Sequence, residues 1–271
     1  MGIKSNMKEA LLFVLIISLF LGCTPEPKQV IKGHAHNDYE HERPLFEALE
    51  NGFISIEADV HVIDGKLYVS HDPPADLTTT KTLKELYLEP LRIHIKKNNG
   101  QVYKGYDEYV YLMIDIKTSA EYSYPYLREA LAEYKDIISV ITNAADQKTK
   151  PLKVLFSGNR PINALMNDSI KYAGIDGRPD ELEDKISKPM MPVISQNYNR
   201  YLSWDGRGTA DPKEVVLLKQ MIEKAHTQGR KVRLWASSDI PEVWEFLLEC
   251  GVDLINTDDL KGYREFALDG K

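Results

Sequence analysis

The 271-residue chain has only two cysteines, Cys23 and Cys250, so disulfides do not staple its fold. Cys250, at the end of an apolar helical stretch, reads as a small buried hydrophobe. Basic charge is also scarce: 34 Lys and Arg against 41 Asp and Glu leave a net charge of -7 and a pI near 5.6. That balance argues against a nucleic-acid partner, whose binding rests on basic surface, and an anionic ligand would need local positive charge. Low-complexity segments and solenoid-type repeats are missing. Runs long enough to cross a bilayer are missing too, since the apolar run Leu11 to Leu21 is too short.

What is present begins with that run. Lys4 and Lys8 precede it and Gly22-Cys23 closes it, the layout of a secretory signal peptide. Leu-Gly-Cys resembles the lipobox of bacterial lipoproteins, although Phe20 stands where Leu is commonest. The expectation is a signal peptide over 1–22, lipidation at Cys23 and a proline-containing tether over 23–29. The protein would then be exported and held in the bacterial cell envelope by its N-terminal lipid alone.

Residues 30–267 suffice for one large core. Apolar alternation marks strands after Val30 and at Ile54–Val62, Tyr109–Lys117, Leu152–Ser157, Tyr172–Ile175, Met191–Ser195, Lys231–Ala236 and Asp253–Asn256. Helical spacing marks Pro44–Asn51, Thr78–Leu91, Pro125–Tyr134, Ile162–Met166, Val215–Thr227 and Glu242–Cys250. Ile93–Asp107 reads as a polar loop or small hairpin with Asn99-Gly100 at its tip, and the 78–107 insert has no assigned role. Close to eight strands alternating with helices predict an α/β fold, a (β/α)8 TIM-type barrel, with a doubly wound open sheet as the alternative.

The chemistry concentrates in Ile31–Pro73, which reads GHAHNDYE, then FISIEADVHV, then LYVSHDPP. In the middle piece Ser55, Glu57, Asp59 and His61 alternate with apolar residues, so Glu57, Asp59 and His61 share one strand face. Neighbouring carboxylates kept ionised and partly buried call for a cation, while the bland reading is a solvated face. His36 one strand earlier and His71-Asp72 after the Asp64-Gly65 turn favour the cation. In a barrel the strand ends share one mouth, and polar groups there include His36, Asn37, Asp115, Lys117, Trp235 and Asp258. Asp115 and Lys117 can form a simple salt pair or join the acids with an ammonium beside them. His61 is expected at the surface beyond the mouth, and Asp38 either orients a histidine or caps the next helix.

The segments GHAHND, ALENGFISIEADV, VSHDP, LMIDIKT, LWAS and GVDLINTDDL resemble the glycerophosphodiester phosphodiesterase and phosphatidylinositol-specific phospholipase C-like superfamily from Gly33 to Leu260. The resemblance implies a (β/α)8 barrel that hydrolyses phosphodiesters of the glycerophosphodiester or phospholipid-headgroup type. It implies catalytic roles for His36 and His71, one divalent cation, Ca2+ or Mg2+, on Glu57, Asp59 and Asp115, phosphate contact by Lys117, and substrate contacts from Asn37 and Trp235. Asn37-Asp38 replaces the usual Arg and Gly after the first histidine, and Asp115 in IDIKT is closer to the sphingomyelinase D-like branch.

The chemistry suits these groups independently. Phosphodiester cleavage needs the non-bridging oxygens neutralised, a base on the attacking hydroxyl and an acid on the leaving oxygen. Carboxylates offer hard oxygens to Ca2+ or Mg2+, and imidazole serves at either end of the displacement. Two other readings use the same residues. His34-Ala35-His36 matches the H-x-H of zinc amidohydrolases, although the later histidines such a site needs are missing. Tyr198, Tyr201, Trp204 and Trp235 could line a non-catalytic ligand-binding surface lipoprotein.

Overall fold

The computed structural model describes residues 29–141 and 150–269. The expected signal peptide and the lipidation site at Cys23 lie outside the described residues. In chain order the strands are β1 (Ile31–Ala35), β2 (Phe53–Ile63), β3 (Lys66–Val69), β4 (Val110–Ile116), β5 (Leu152–Gly158), β6 (Ala173–Gly177), β7 (Val193–Asn197), β8 (Lys231–Trp235) and β9 (Leu254–Thr257). The helices are α1 (Phe46–Glu50), α2 (Glu89–Lys97), α3 (Ala120–Ala132), α4 (Ile162–Asn167), α5 (Pro212–Thr227), α6 (Pro241–Cys250) and α7 (Leu260–Asp269).

Eight of the strands pair in parallel and close on themselves, because β1 bonds both to β9 and to β2. This is the expected TIM-type barrel rather than the open sheet. The remaining strand, β3, pairs antiparallel with the far end of β2 and stands outside the closed ring. Helix boundaries follow local chemistry. Asp211 accepts the Lys213 backbone N–H at 2.8 Å and Pro212 opens α5, whose Leu218, Met221, Ile222 and Ala225 form the buried stripe. Gly251, at φ 100°, ends α6 in the left-handed region.

The insert departs from expectation. The Thr78 and Thr80 hydroxyls bond Asp76, a local turn that competes with helix. A wide helical turn therefore starts only at Lys84, passes into α2 and runs on to Lys97. Asn99 and Gly100, both at positive φ, follow the end of that helix instead of tipping a hairpin. Helix α3 begins at Ala120 and carries Pro125 inside it, earlier than the expected start at Pro125.

Parallel register sets which side chains meet inside the ring. Glu57 lies beside Met113, Asp59 beside Asp115, Asp115 beside Ser157, Ser195 beside Arg233, and His34 beside both Ser55 and Asn256. These residues share the inner face. Tyr111, Leu155, Val193 and Leu254 below them, with Met113 at the boundary, form an apolar plug. The larger core lies between the barrel and its helices. The mouth half of the lumen is thus buried yet polar, which is costly unless every group is paired or serves a ligand.

Candidate active site

The ends of β1, β2, β4, β5, β6 and β8 converge on a cleft of about 350 Å³ lined by His36, Asn37, Glu57, His71, Asp115, Lys117 and Trp235, among others. Every residue expected to act on the cation or the substrate, except Asp59, lines this cleft. Asp59 is buried directly under it and bonded to two of its lining residues. His34 takes a different place: its ring is fully buried, with Nδ1 against the Ser55 hydroxyl at 2.7 Å and Nε2 against Glu57 Oε2 at 2.8 Å. Burial lowers its pKa to about 4, so it is neutral and donates to Glu57. With both nitrogens engaged, His34 does not form a zinc pair with His36.

The two cleft histidines are anchored alike. His36 Nδ1 bonds Asp258 Oδ1 at 2.8 Å and His71 Nδ1 bonds Asp59 Oδ2 at 3.0 Å, which leaves each Nε2 for the cleft. Burial opposes charge on His36, yet the Asp258 hydrogen bond and the Glu57 charge outweigh it and raise its pKa above the ordinary value. His71 rides on a loop held from below, where Ser70 N–H donates to Asp59 O and His61 Nε2 donates to His71 O at 3.2 Å. His61 is buried, not at the surface as expected, because it sits in the β2–β3 hairpin against Tyr68 and under this loop.

The three acids meet as their spacing implied. Glu57, Asp59 and Asp115 each present an oxygen, and these lie within 4.8 Å of one another. Asp59 Oδ2 accepts from Tyr39 at 2.8 Å, from His71 and from Lys117 at 2.9 Å, whereas Asp59 Oδ1 is buried with no hydrogen-bond partner. Both His34 and Arg233 donate to Glu57 Oε2. Burial would favour the neutral acid at Glu57, but Arg233 and His34 hold its pKa far below the usual carboxylate range. Burial, with Glu57 and Asp59 nearby, pushes Asp115 up despite Lys117 at 3.3 Å. Lys117 loses to burial but gains more from Asp59 and Asp115, so its pKa is raised. An unpartnered buried carboxylate oxygen among three acids fits a hard divalent cation, and an all-oxygen donor set is the kind Mg2+ and Ca2+ take. The cluster could hold one such ion.

Several groups here escaped the sequence reading. Arg233 threads the lumen, donating from Nε to Asn256 at 3.0 Å and from its second terminal nitrogen to Glu57 at 3.0 Å. It sits two residues before Trp235 on one strand, and that period of two was the available signal. Asp176 lies near the end of β6, a strand too short and glycine-rich to show alternation, and Arg178 directly follows it. Asp38 neither orients a cleft histidine nor caps α1 with a helix-end bond. Its Oδ2 accepts from Leu45 N–H and the Tyr87 hydroxyl, fixing the loop into α1, and burial lifts its pKa to about 6. His41 bridges two backbone carbonyls, of Asp38 and Asp258.

Relatives are consistent with this architecture. An "Altered inheritance of mitochondria protein 6 homolog" of Arthroderma benhamiae is 29% identical over 261 residues, covering 85% of this chain and 82% of that protein. The Lachancea thermotolerans protein "Altered inheritance of mitochondria protein 6" is 26% identical over 278 residues, and the match spans 64% of its length. The crystal structure of a glycerophosphodiester phosphodiesterase from Parabacteroides distasonis superposes with a TM-score of 0.53 at 17% identity, over 87% of this chain and 96% of that one, and shows the shared fold. These sequence relatives are fungal, which overturns the expected placement as a lipid-anchored protein of the bacterial cell envelope. The model of the AIM6-like phosphodiesterase domain matches residues 27–173, a span that holds His36, both acids of β2, His71, Asp115 and Lys117. With more than half of its length matched, the chain belongs to the AIM6-like phosphodiesterase domain family, on the barrel shared with glycerophosphodiester phosphodiesterases.

Proposed function

We propose that this cleft hydrolyses phosphodiesters of the glycerophosphodiester or phospholipid-headgroup type, with one Mg2+ or Ca2+ held by Glu57, Asp59 and Asp115. The observation that carries the reading is the pair of imidazoles, each tethered through Nδ1 to an aspartate, in one cleft with the three-acid cluster and its orphaned Asp59 Oδ1. When bound, the cation supplies Lewis-acid neutralisation of the non-bridging phosphate oxygens.

The chain's own groups do the rest. Lys117 adds a second positive charge beside the acids. His36 and His71 serve as the acid and base of the displacement, their Nδ1–aspartate bonds fixing which nitrogen faces the phosphodiester. Tyr39 keeps its proton, since burial and the Asp59 charge push the phenol far up, so it holds Asp59 as a donor. Asn37 and Trp235 line the approach.

The test is hydrolysis of bis(p-nitrophenyl) phosphate and of glycerophosphodiesters, with and without chelator and with either cation restored. His36→Ala and His71→Ala should each lower turnover by about 10²–10⁴-fold while the melting transition persists. Near-normal turnover by either variant removes the assignment.

A further inference from the structure

We infer that Arg178 forms a second anion-binding subsite in the cleft, one that selects phosphodiesters whose alcohol arm carries a further carboxylate or phosphate. The inference rests on the phosphodiesterase reading above and extends it from the bond cleaved to the group attached.

Arg178 follows β6 and lines the same cleft as the two histidines and Lys117. One terminal nitrogen is fully spoken for, donating to Asp176 Oδ2 at 2.9 Å, to Asp176 O at 3.1 Å and to Gly177 O at 2.9 Å. The other makes only a long contact to the Ser157 hydroxyl at 3.4 Å. The side chain stays about a quarter exposed and lines the cleft, and this second edge of the guanidinium is the one left without a close partner.

The support under that edge is built. Asp176 is fully buried and its remaining capacity is filled by the Ser157 and Ser195 hydroxyls at 2.9 and 2.5 Å. The loop is tied down where Glu181 Oε2 accepts both the Arg178 backbone N–H at 2.7 Å and Arg160 at 2.8 Å. An arginine with one side pinned and the other open offers a preorganised planar fork, the geometry that takes a carboxylate or phosphate at little further ordering cost.

The route between the two subsites is open for a stated reason. Ser157 and Gly158 form the floor between Asp115 and Arg178, and Gly158 has φ 62°. A Cβ there would come within 2.2 Å of Asp115 Oδ1 and 2.7 Å of Ile116 O. Glycine keeps this floor bare, so a substrate clamped by its diester at Lys117 can lay its next group across Gly158 toward Arg178.

The experiment measures calorimetric binding of three probes to the intact protein: glycerol 1-phosphate, glycerol 1,3-bisphosphate and 3-phosphoglycerate. The last two add a phosphate or a carboxylate and so separate the two sources of the second charge. Wild-type protein should bind at least one of them about tenfold more tightly than glycerol 1-phosphate, the gain expected of one charge-assisted contact. Because Arg178→Gln alone strands the buried Asp176 charge, the variant to compare is the double Asp176→Asn, Arg178→Gln, which stays neutral there. Its preference should fall to about onefold, whereas an unchanged preference, or none in the wild type, overturns the subsite. Diester turnover is scored separately on bis(p-nitrophenyl) phosphate: a preference without turnover would sink the hydrolase reading and leave the subsite, and turnover without a preference would do the reverse.

Discussion

Single residues carry most of the functional information, and His36 shows how. Its pKa is set by a contest between burial, which disfavours the imidazolium, and the Asp258 hydrogen bond with the Glu57 charge, which favour it and win. Removing Asp258 leaves burial less opposed, so the pKa of His36 falls. In Asp258→Ala, which unlike Asn offers no competing N–H to the ring, one limb of the kcat/KM pH profile should move to lower pH and the other should stay. If the alkaline limb moves, His36 is the acid. If the acidic limb moves, it is the base. An unshifted profile would mean that Asp258 does not support the imidazole. Asp258 could be placed at the mouth from sequence because it follows a strand, but its partner could not. A hydrogen bond across 222 residues depends on barrel closure, which no local pattern encodes.

Elements explain which parts of the site were legible. In β2, Glu57 and Asp59 interrupt an apolar alternation, and Asp115 in β4 and Lys117 just past its end do the same. Parallel pairing of those strands then places Asp59 beside Asp115, so periodicity alone brought the acids together. The β6 end failed to show itself because Gly174, Asp176 and Gly177 leave no alternation to read, and α2 was displaced because Thr78 and Thr80 spend their hydroxyls on Asp76. His61 looked exposed because alternation gives a face but not what covers it, here the His71 loop. The end of β5 makes an element-level prediction. Gly158→Ala puts a methyl against Asp115 Oδ1 and forces a left-handed backbone on alanine. Stability should fall by at least about 1–2 kcal/mol, the scale of an αL penalty for a residue with a Cβ, with the overlap on Ile116 O adding to it. Cation affinity should fall as well, since Asp115 must shift. Calorimetric titration of Mg2+ and Ca2+ beside thermal melts checks both, and wild-type affinity in the variant would mean that the Asp115 carboxylate is not a ligand.

At the scale of the whole molecule, the site exists only once the barrel is closed. His36, Glu57, Asp115 and Asp258 come from four strands that meet because β1 bonds both β9 and β2. Folding also holds three carboxylates of the paired strands β2 and β4 within 4.8 Å of one another, a repulsion that the unfolded chain feels far less. A cation that binds the folded state and not the unfolded one therefore stabilises by mass action, about 2.7 kcal/mol at a hundredfold excess over its Kd. For a domain of this size that corresponds to about 5–10 °C in Tm. Saturating Mg2+ or Ca2+ should raise the melting temperature of the chelated protein by that amount. In Asp115→Asn the increment should vanish, while the chelated variant melts no lower than the chelated wild type, because losing one of three crowded charges relieves the repulsion that the cation would otherwise neutralise. A Tm indifferent to both cations would leave the chain's own basic groups, Lys117 and Arg233 foremost, to counter the cluster's charge and take metal dependence out of the mechanism.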